Sequence, residues 1–411
     1  MSNPACRLCS APLRHTFVNL GMSPLSNAFL REDQLNRMEP YFPLHARVCH
    51  VCFLVQLEEY ENPENIFSEY AYFSSYSRSW LQHGCRYAEQ AIERFHLTEQ
   101  SLVVEVASND GYLLQYFAQK KIPVLGVEPA ENVAAAARER GIHTLTRFFG
   151  EQTASDLCAD GLEADLIIAN NVLAHVPDLN GFVRGLRLLL KPSGVITIEV
   201  PHLLKLIQFC QFDTIYHEHF SYFSLSAARK LFQNHDLRLF DVEELPTHGG
   251  SLRLYVCHAQ NRSLWTVDSV AKLERAEIRA GMQDLAQYAT FEAQVRQLKR
   301  SLLQFLITAK VEGKTLVGYG APAKGNTLLN YCGIGPEFLD YTADINPHKQ
   351  NRFTPGTHIP IYAPDRIRET RPNYVVILPW NLKDEIIGQL SFIRDWGGRF
   401  VLPIPRVEVL E

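Results

Sequence analysis

Tyr216-His217-Glu218-His219 places four titratable or hydrogen-bonding side chains in one run, flanked by Phe212, Phe220, Tyr222 and Phe223. Apolar walls around imidazole and carboxyl groups push their pKa values toward neutrality, where a general base works best. A single histidine is more often structural, so the run gains weight from His175, which follows a candidate strand at the same sheet edge. His217, Glu218 and His219 are too close in sequence to satisfy one metal ion without distant partners. Proton transfer is the chemistry this run favours.

Cys6-Arg-Leu-Cys9 and Cys49-His-Val-Cys52 form a second constellation, two C-x2-C pairs. A two-residue gap turns both thiolates of a pair inward on a tight knuckle, and two knuckles make a tetrahedral S4 site for Zn. The gap between the pairs is longer than a common zinc ribbon allows and predicts an inserted segment; His45 and His50 are near enough to replace one cysteine. A closed S4 site leaves no open position for substrate, so this metal is expected to stabilise and not to catalyse. Cys85, Cys158, Cys210, Cys257 and Cys332 are scattered singly and read as small buried residues.

The third constellation is Glu105-Val-Ala-Ser-Asn-Asp-Gly111. A strand followed by a small-residue turn into a helix lets backbone approach a ligand at the sheet's carboxyl edge. Ala107 and Asn109 stand where a dinucleotide motif has its first two glycines. The small side chains still suit S-adenosylmethionine (SAM), which has no phosphates for a helix N-terminus to bind. Glu128 ends the next strand, where a carboxylate can accept both ribose hydroxyls. Glu105, Ala107, Asn109, Gly111, Glu128, Asn170 and Asn171 are the candidate cofactor-binding residues. An NAD-binding unit that has lost its glycines is the alternative.

Positioning these groups falls to alternating elements. A helix is expected over 77–95, then strands at 101–107, 123–128, 143–145, 165–169 and 194–200, with helices at 112–120, 132–140 and 179–190. Such alternation predicts a parallel doubly wound sheet. Runs at 237–245 and 251–257 are placed to complete seven strands with an antiparallel edge. A charged helical connector covers 267–308, and a second α/β unit starts at Lys314 with strands near 314–319, 339–343 and 374–378. The expected fold class is α/β in three domains: a zinc-binding module (1–64), a class I SAM-dependent methyltransferase Rossmann-like domain (65–300) and a Rossmann-like α/β domain (301–411).

The chain has 411 residues, 46% hydrophobic and 21% charged, with a formal net charge of −5, proportions that fit globular domains with real cores. No basic stripe or tail points to nucleic acid. No apolar run approaches the roughly 18 residues that span a bilayer. The N-terminal residues lack a charged segment followed by an apolar one, so no signal peptide is expected. A cytoplasmic enzyme with reduced thiols, monomeric or homodimeric, is the expectation.

Across CRLC and CHVC (6–9, 49–52), EYAYFSSYS (69–77), EVASNDG (105–111), ANNVLAHVPD (169–178), FDTIYHEHFSYFS (212–224), HGGSLR (248–253) and GYGAPAKGNTLLN (318–330), the chain resembles the three-domain SAM-dependent nucleotide-sugar C-methyltransferases of branched-chain deoxysugar biosynthesis. The resemblance covers essentially the full length; YHEH and HGGSLR are its most specific motifs. It implies methyl transfer from SAM to a carbon, C-3 by preference, of a nucleotide-linked 4-keto-deoxysugar. The chemistry is coherent: a ketone acidifies the neighbouring C–H, a base removes that proton, and the enolate takes the methyl group. By the resemblance Tyr216, Glu218, His219, His175 and a tyrosine of EYAY surround the sugar. Tyr72 is the preferred tyrosine, with Tyr70 and Tyr76 as alternatives.

His219 is then the candidate base, Tyr216 and His175 the partners of the enolate oxygen, and Glu218 a group that orients one of them. The C-terminal unit would hold the nucleotide, with Lys324, Asn326 and the amides near Gly325 toward the pyrophosphate. Pro322 removes one amide donor from that turn. Asp344 ends the following strand, where an NAD enzyme would grip ribose, so a vestigial dinucleotide fold is an alternative. The competing activities are an O- or N-methyltransferase, which needs no acidified C–H, and an NAD-dependent oxidoreductase using the C-terminal glycine loop.

Overall fold

Short apolar runs and intervening helices resolve into three sheets in the computed structural model, which describes residues 4–60, 74–76 and 78–410. The first begins with β1 (His15–Ser23), which pairs antiparallel with β2 (Phe42–Val48), and β2 with the short β3 (Val55–Gln56). The segment between β1 and β2 is the insertion that the long cysteine gap required.

Eight further strands follow: β4 (Val103–Val106), β5 (Val124–Val127), β6 (Thr144–Leu145), β7 (Ala164–Ile168), β8 (Leu190–Pro201), β9 (Ser221–Tyr222), β10 (Leu237–Leu245) and β11 (Ser251–His258). All but β9 form a seven-stranded sheet in the order β10-β11-β8-β7-β4-β5-β6. Its pairs are parallel except those of β11, which runs antiparallel to β8 and to β10. Helices on both faces bury β4 completely, and its Val-Val-Glu-Val sequence is the continuous run such a strand needs. The strand β9 leaves this sheet and pairs with β3, so the first sheet is closed by a segment more than 160 residues downstream.

The third sheet contains β12 (Leu316–Tyr319), β13 (Thr342–Ala343), β14 (Ile361–Tyr362), β15 (Tyr374–Ile377), β16 (Arg399–Leu402) and β17 (Glu408–Leu410), ordered β14-β13-β12-β15-β16-β17. That is the doubly wound order 3-2-1-4-5-6, with β17 antiparallel. The connector is three helices, Asp268–Arg279, Leu285–Ala289 and Phe291–Val311. The last buries Phe291, Val295, Leu298, Leu302 and Leu306 at helical spacing, and Phe291 stacks on Phe17 of β1 at 4.5 Å. No helix among the described residues is long and apolar enough to cross a membrane.

Two elements differ from expectation for local reasons. The helix expected over 112–120 is only Leu114–Ala118, because the preceding turn holds Ala107, Asn109 and Gly111 at positive φ. The strand expected from Gly194 begins at Leu190, through a shifted register with Ala164.

Candidate active site

The turn after β4 is built by backbone geometry. With Ala107 at φ 55° and Asn109 at φ 50°, the chain doubles back against Glu128, whose two oxygens accept from Asn109 N (3.0 Å) and Ala130 N (2.9 Å). Gly111 is required: it has φ 74°, and a Cβ there would lie 3.0 Å from Ile142 Cγ1. Asp110 is tied down by Arg140 at 2.9 Å and Ser75 at 2.5 Å, while Asn109 Oδ1 accepts from Ser74 N.

Several polar atoms at this sheet edge are buried with no partner among the described residues: Glu105 Oε2, Ser108 Oγ, Asp110 Oδ1, both amide atoms of Asn170 and Asn171 Oδ1. Buried polar atoms are almost always paired, so these await a polar ligand. Burial and the nearby Glu128, Asp110 and Glu199 charges push the Glu105 carboxyl well above its usual range. Glu105 and Glu128, two buried carboxyls raised by burial with no cation among the described residues to lower them, suit a ligand that brings positive charge, as the sulfonium and ammonium of SAM do. The residues fit that cofactor.

The second half of the site lies across the edge. His175 ends a 3-10 turn, Leu173–His175, which Pro177 stops; Asp178 then caps helix Leu179–Leu189 by accepting from Gly181 N. Phe220 N donates to Ala174 O at 2.8 Å and ties this loop to the Tyr216–His219 turn. The His175 and His219 rings meet edge to face at 4.6 Å.

His219 has a fixed tautomer. Its Nδ1 lies 3.0 Å from the Thr214 carbonyl, which can only accept, so Nδ1 carries the proton. Nε2 is therefore the lone pair, and the Tyr216 hydroxyl donates to it at 2.9 Å. Burial, then the neighbouring His175, holds His219 well below the usual histidine pKa. Burial takes His175 down to about 4, although its imidazole donates to the Glu218 backbone. Both rings are neutral at neutral pH. Glu218 accepts from Asn27 Nδ2 at 2.6 Å, and burial raises its carboxyl to about 7 against the Asn27 hydrogen bond and Lys349. His217 turns the other way, to the Pro43 carbonyl at 3.2 Å and the edge of Phe42, and has the contacts of a packing residue. Tyr72 and Tyr70 lie outside the described residues, as does the Tyr76 side chain.

From the C-terminal unit, the Lys324 ammonium sits 4.6 Å from the Trp380 ring and donates to Asn381 at 2.8 Å. Burial lowers its pKa against the pull of Asp213. Asp213 accepts from the Trp380 indole at 2.7 Å, and burial raises it to about 6. Asn326 Nδ2 donates to the Ser26 carbonyl at 2.6 Å, and its Oδ1 is buried without a partner among the described residues. One Nδ2 hydrogen and the Oδ1 acceptor therefore remain there.

The sequence reading missed a third wall. Glu199 on β8 is completely buried; His83 Nε2 lies 2.9 Å from it and Arg253 reaches it with two nitrogens. Burial would raise Glu199, but His83 and Arg253 hold it below the usual carboxylate pKa. His248 stands beside them at φ 54°, edge-on to Trp80 at 5.3 Å, its pKa lowered to about 4 by burial and then by Lys324. The HGGSLR motif was the available signal, but nothing in its spacing said which members face the site.

The four sulfurs of Cys6, Cys9, Cys49 and Cys52 lie within 4.8 Å of one another. A tetrahedral site with Zn–S bonds of about 2.3 Å needs sulfurs about 3.8 Å apart, and the Cys6–Cys52 and Cys9–Cys49 pairs stand at 3.5 Å. The cluster fits Zn with cysteine ligands alone; His45 is engaged with Thr16 instead. Gln56 Nε2 donates to Cys6 Sγ at 3.1 Å and Val51 N to Cys49 Sγ at 3.4 Å, the outer bonds that orient ligands.

Family models match three stretches of the chain: a zinc binding domain at residues 6–67, a methyltransferase domain at 77–242 and a C-methyltransferase C-terminal domain at 246–405. The C-methyltransferase NovU of Streptomyces niveus is 34% identical over 405 residues, covering 98% of this chain and 96% of its own. The magnesium protoporphyrin IX methyltransferase of Synechocystis with bound SAM aligns with 43% of this chain and 79% of its own, at 15% identity and a TM-score of 0.34. A SAM-dependent methyltransferase of Clostridium acetobutylicum covers 43% and 92% respectively, at 12% identity and a TM-score of 0.35.

Proposed function

The chain belongs to the SAM-dependent C-methyltransferase family, and from that premise we propose that its acceptor is a nucleotide-linked 4-keto-deoxysugar, methylated at C-3 through an enolate. The observation that carries this reading is the His219 tautomer: a buried neutral imidazole with its lone pair on Nε2, in contact with a phenol and a second imidazole. Carbon has no lone pair to offer a methyl donor, so the site must first make a carbanion. A ketone provides the acidity and His219 the base.

Tyr216 cannot donate to Nε2 and to an enolate oxygen with its one proton. In this account the hydroxyl turns from Nε2 to the C-4 oxygen as the sugar seats, which uncovers the base and supplies an oxyanion partner in one movement. His175, the second partner expected for that oxygen, has its one proton on the Glu218 backbone and would have to turn from it to donate as well. The C-3 proton passes to Nε2, and the imidazolium so formed is balanced by the enolate. Glu218, protonated over much of the range below pH 7, holds the turn through Asn27. Tyr72, with Tyr70 or Tyr76 as the alternative, is the tyrosine that the family resemblance assigns to the sugar. Glu105, Ala107, Asn109, Gly111, Glu128, Asn170 and Asn171 hold SAM, which when bound supplies an electrophilic methyl group. Lys324 and Asn326 face the pyrophosphate, Asn326 with the Nδ2 hydrogen that its bond to Ser26 leaves over. Reduced thiols at the zinc site fit a cytoplasmic enzyme.

The oxidoreductase alternative loses ground at Asp344. Lys349 Nζ lies 3.9 Å from its carboxylate and donates to the Ala321 carbonyl at 2.9 Å, so a cation of the chain itself stands beside Asp344, which Glu128 does not have among the described residues. The test is product analysis. A 4-keto-6-deoxysugar nucleotide with SAM should give a new C-methyl signal at C-3 by NMR, and the 4-hydroxy counterpart none. Methyl on oxygen or nitrogen, or equal turnover of the 4-hydroxy sugar, would contradict the reading.

A further inference from the structure

Arg7 sits between the first pair of zinc-ligand cysteines and reaches both loops of the proposed reaction centre. Its NH1 donates to the Pro177 carbonyl at 3.3 Å, two residues after His175. Its guanidinium carbon lies 5.3 Å from the centre of the Phe220 ring, the residue after His219. NH2 donates to the Leu57 carbonyl, and Leu57 N in turn donates to Phe220 O at 3.0 Å. The Arg7 backbone is held as well: its N–H donates to Gln56 Oε1 at 2.9 Å, and its carbonyl accepts from Asn180 Nδ2 at 2.8 Å.

Gln56 completes the connection. Its amide nitrogen bonds Cys6 Sγ, and its backbone lies opposite Ser221 in the β3–β9 pair. The zinc knuckle is thus joined to the His175 loop through Pro177 and to the His219 turn through Phe220 and β9. Those two loops have one direct backbone bond in common, Phe220 N to Ala174 O.

We propose that Arg7 is a positioning residue for methyl transfer: anchored beside the zinc ligand Cys6, it sets the separation of the His175 and His219 loops. It acts through Pro177 and Phe220 and touches no reacting atom. The inference rests on the reading of His175 and His219 given above. A misplacement of about 1 Å at reacting groups can cost about 100-fold in rate, so a modest loosening is enough to be measured.

Arg7→Met keeps the aliphatic stem and removes the five donors; Arg7→Lys keeps the charge and one donor point, and serves if the methionine variant does not fold. Metal-loaded variants are assayed for zinc content, SAM affinity, kcat, KM and backbone amide hydrogen exchange. With zinc at one per chain and SAM affinity unchanged, kcat should fall about 10- to 100-fold in Arg7→Met and less in Arg7→Lys. The Phe220 amide should exchange faster, while Ser10 and Phe53, whose amides close the knuckles onto Cys6 O and Cys49 O, stay protected. Unchanged kcat and Phe220 exchange would overturn the proposal. So would loss of zinc with the knuckle amides opening together with Phe220 in both variants, which is a fold defect only. His219→Asn separates the two levels: if that variant retains turnover, the reaction-centre reading fails; if it is inactive while Arg7→Met is normal, only the role of Arg7 fails.

Discussion

Burial sets the charge of the imidazoles around the proposed reaction centre, and hydrogen bonds set which nitrogen is free. His219 is neutral because a charge there would be desolvated, and its lone pair is on Nε2 because the Thr214 carbonyl takes the Nδ1 proton. Tyr216→Phe removes the hydroxyl that covers Nε2 along with one proposed partner of the enolate oxygen. It should slow C–H exchange and methylation together, but less than His219→Asn does; equal losses in both variants would mean that the proton travels through Tyr216. At the cofactor edge, Glu128→Ala should weaken SAM binding by about 10- to 150-fold, the range of a lost charged hydrogen bond of about 1.5–3 kcal/mol. Nucleotide-sugar affinity should hardly change. Calorimetry decides, and unaltered SAM affinity would remove Glu128 from the site.

At the scale of elements, the turn Thr247–Gly249 shows how a short segment brings chemistry to the site at a cost in strain. His248 has left-handed φ/ψ and lies between β10 and β11, facing Trp80. Its folded pKa, about 4, is depressed below the ordinary 6.5. The neutral buried ring therefore contributes stability that is present above pH 6.5 and lost as pH falls toward 4. His248→Asn keeps a residue tolerant of the left-handed region and removes the titration. Its melting temperature should fall less than that of the wild type between pH 6.5 and 4; parallel curves would show that His248 does not titrate there. The large sheets were legible because buried parallel strands read as apolar runs, as in Val103–Val106 and Ala164–Ile168. The two-residue β9 was not. Ser221-Tyr222 has no period to detect, and its pairing with Val55 and Gln56 is set by tertiary packing alone. Helix Leu225–Gln233 escaped notice because part of its N-terminal capping, Glu277 accepting from Leu225 N and Ser226 N, comes from about 50 residues away.

For the molecule as a whole, the candidate site is a meeting of all three sheets: Asn27 and Arg7 from the N-terminal unit, the SAM edge and the histidines from the seven-stranded sheet, Lys324 and Trp380 from the third. That convergence explains what the sequence could and could not convey. Cys6, Cys9, Cys49 and Cys52 announced themselves by spacing, and Tyr216–His219 by density. The clasp of Asp213 with Trp380, 167 positions apart, and the contact of Arg7 with Pro177 leave no local signature. In the proposed mechanism His219 removes a proton from the carbon beside a ketone before any methyl moves. The direct measurement is incubation of the 4-keto sugar nucleotide with enzyme and S-adenosylhomocysteine in D2O, followed by NMR. Deuterium should appear at C-3 with the wild-type enzyme, and that exchange should fall about 10²- to 10⁴-fold in folded, SAM-binding His219→Asn. Exchange at an undiminished rate in His219→Asn would contradict the mechanism.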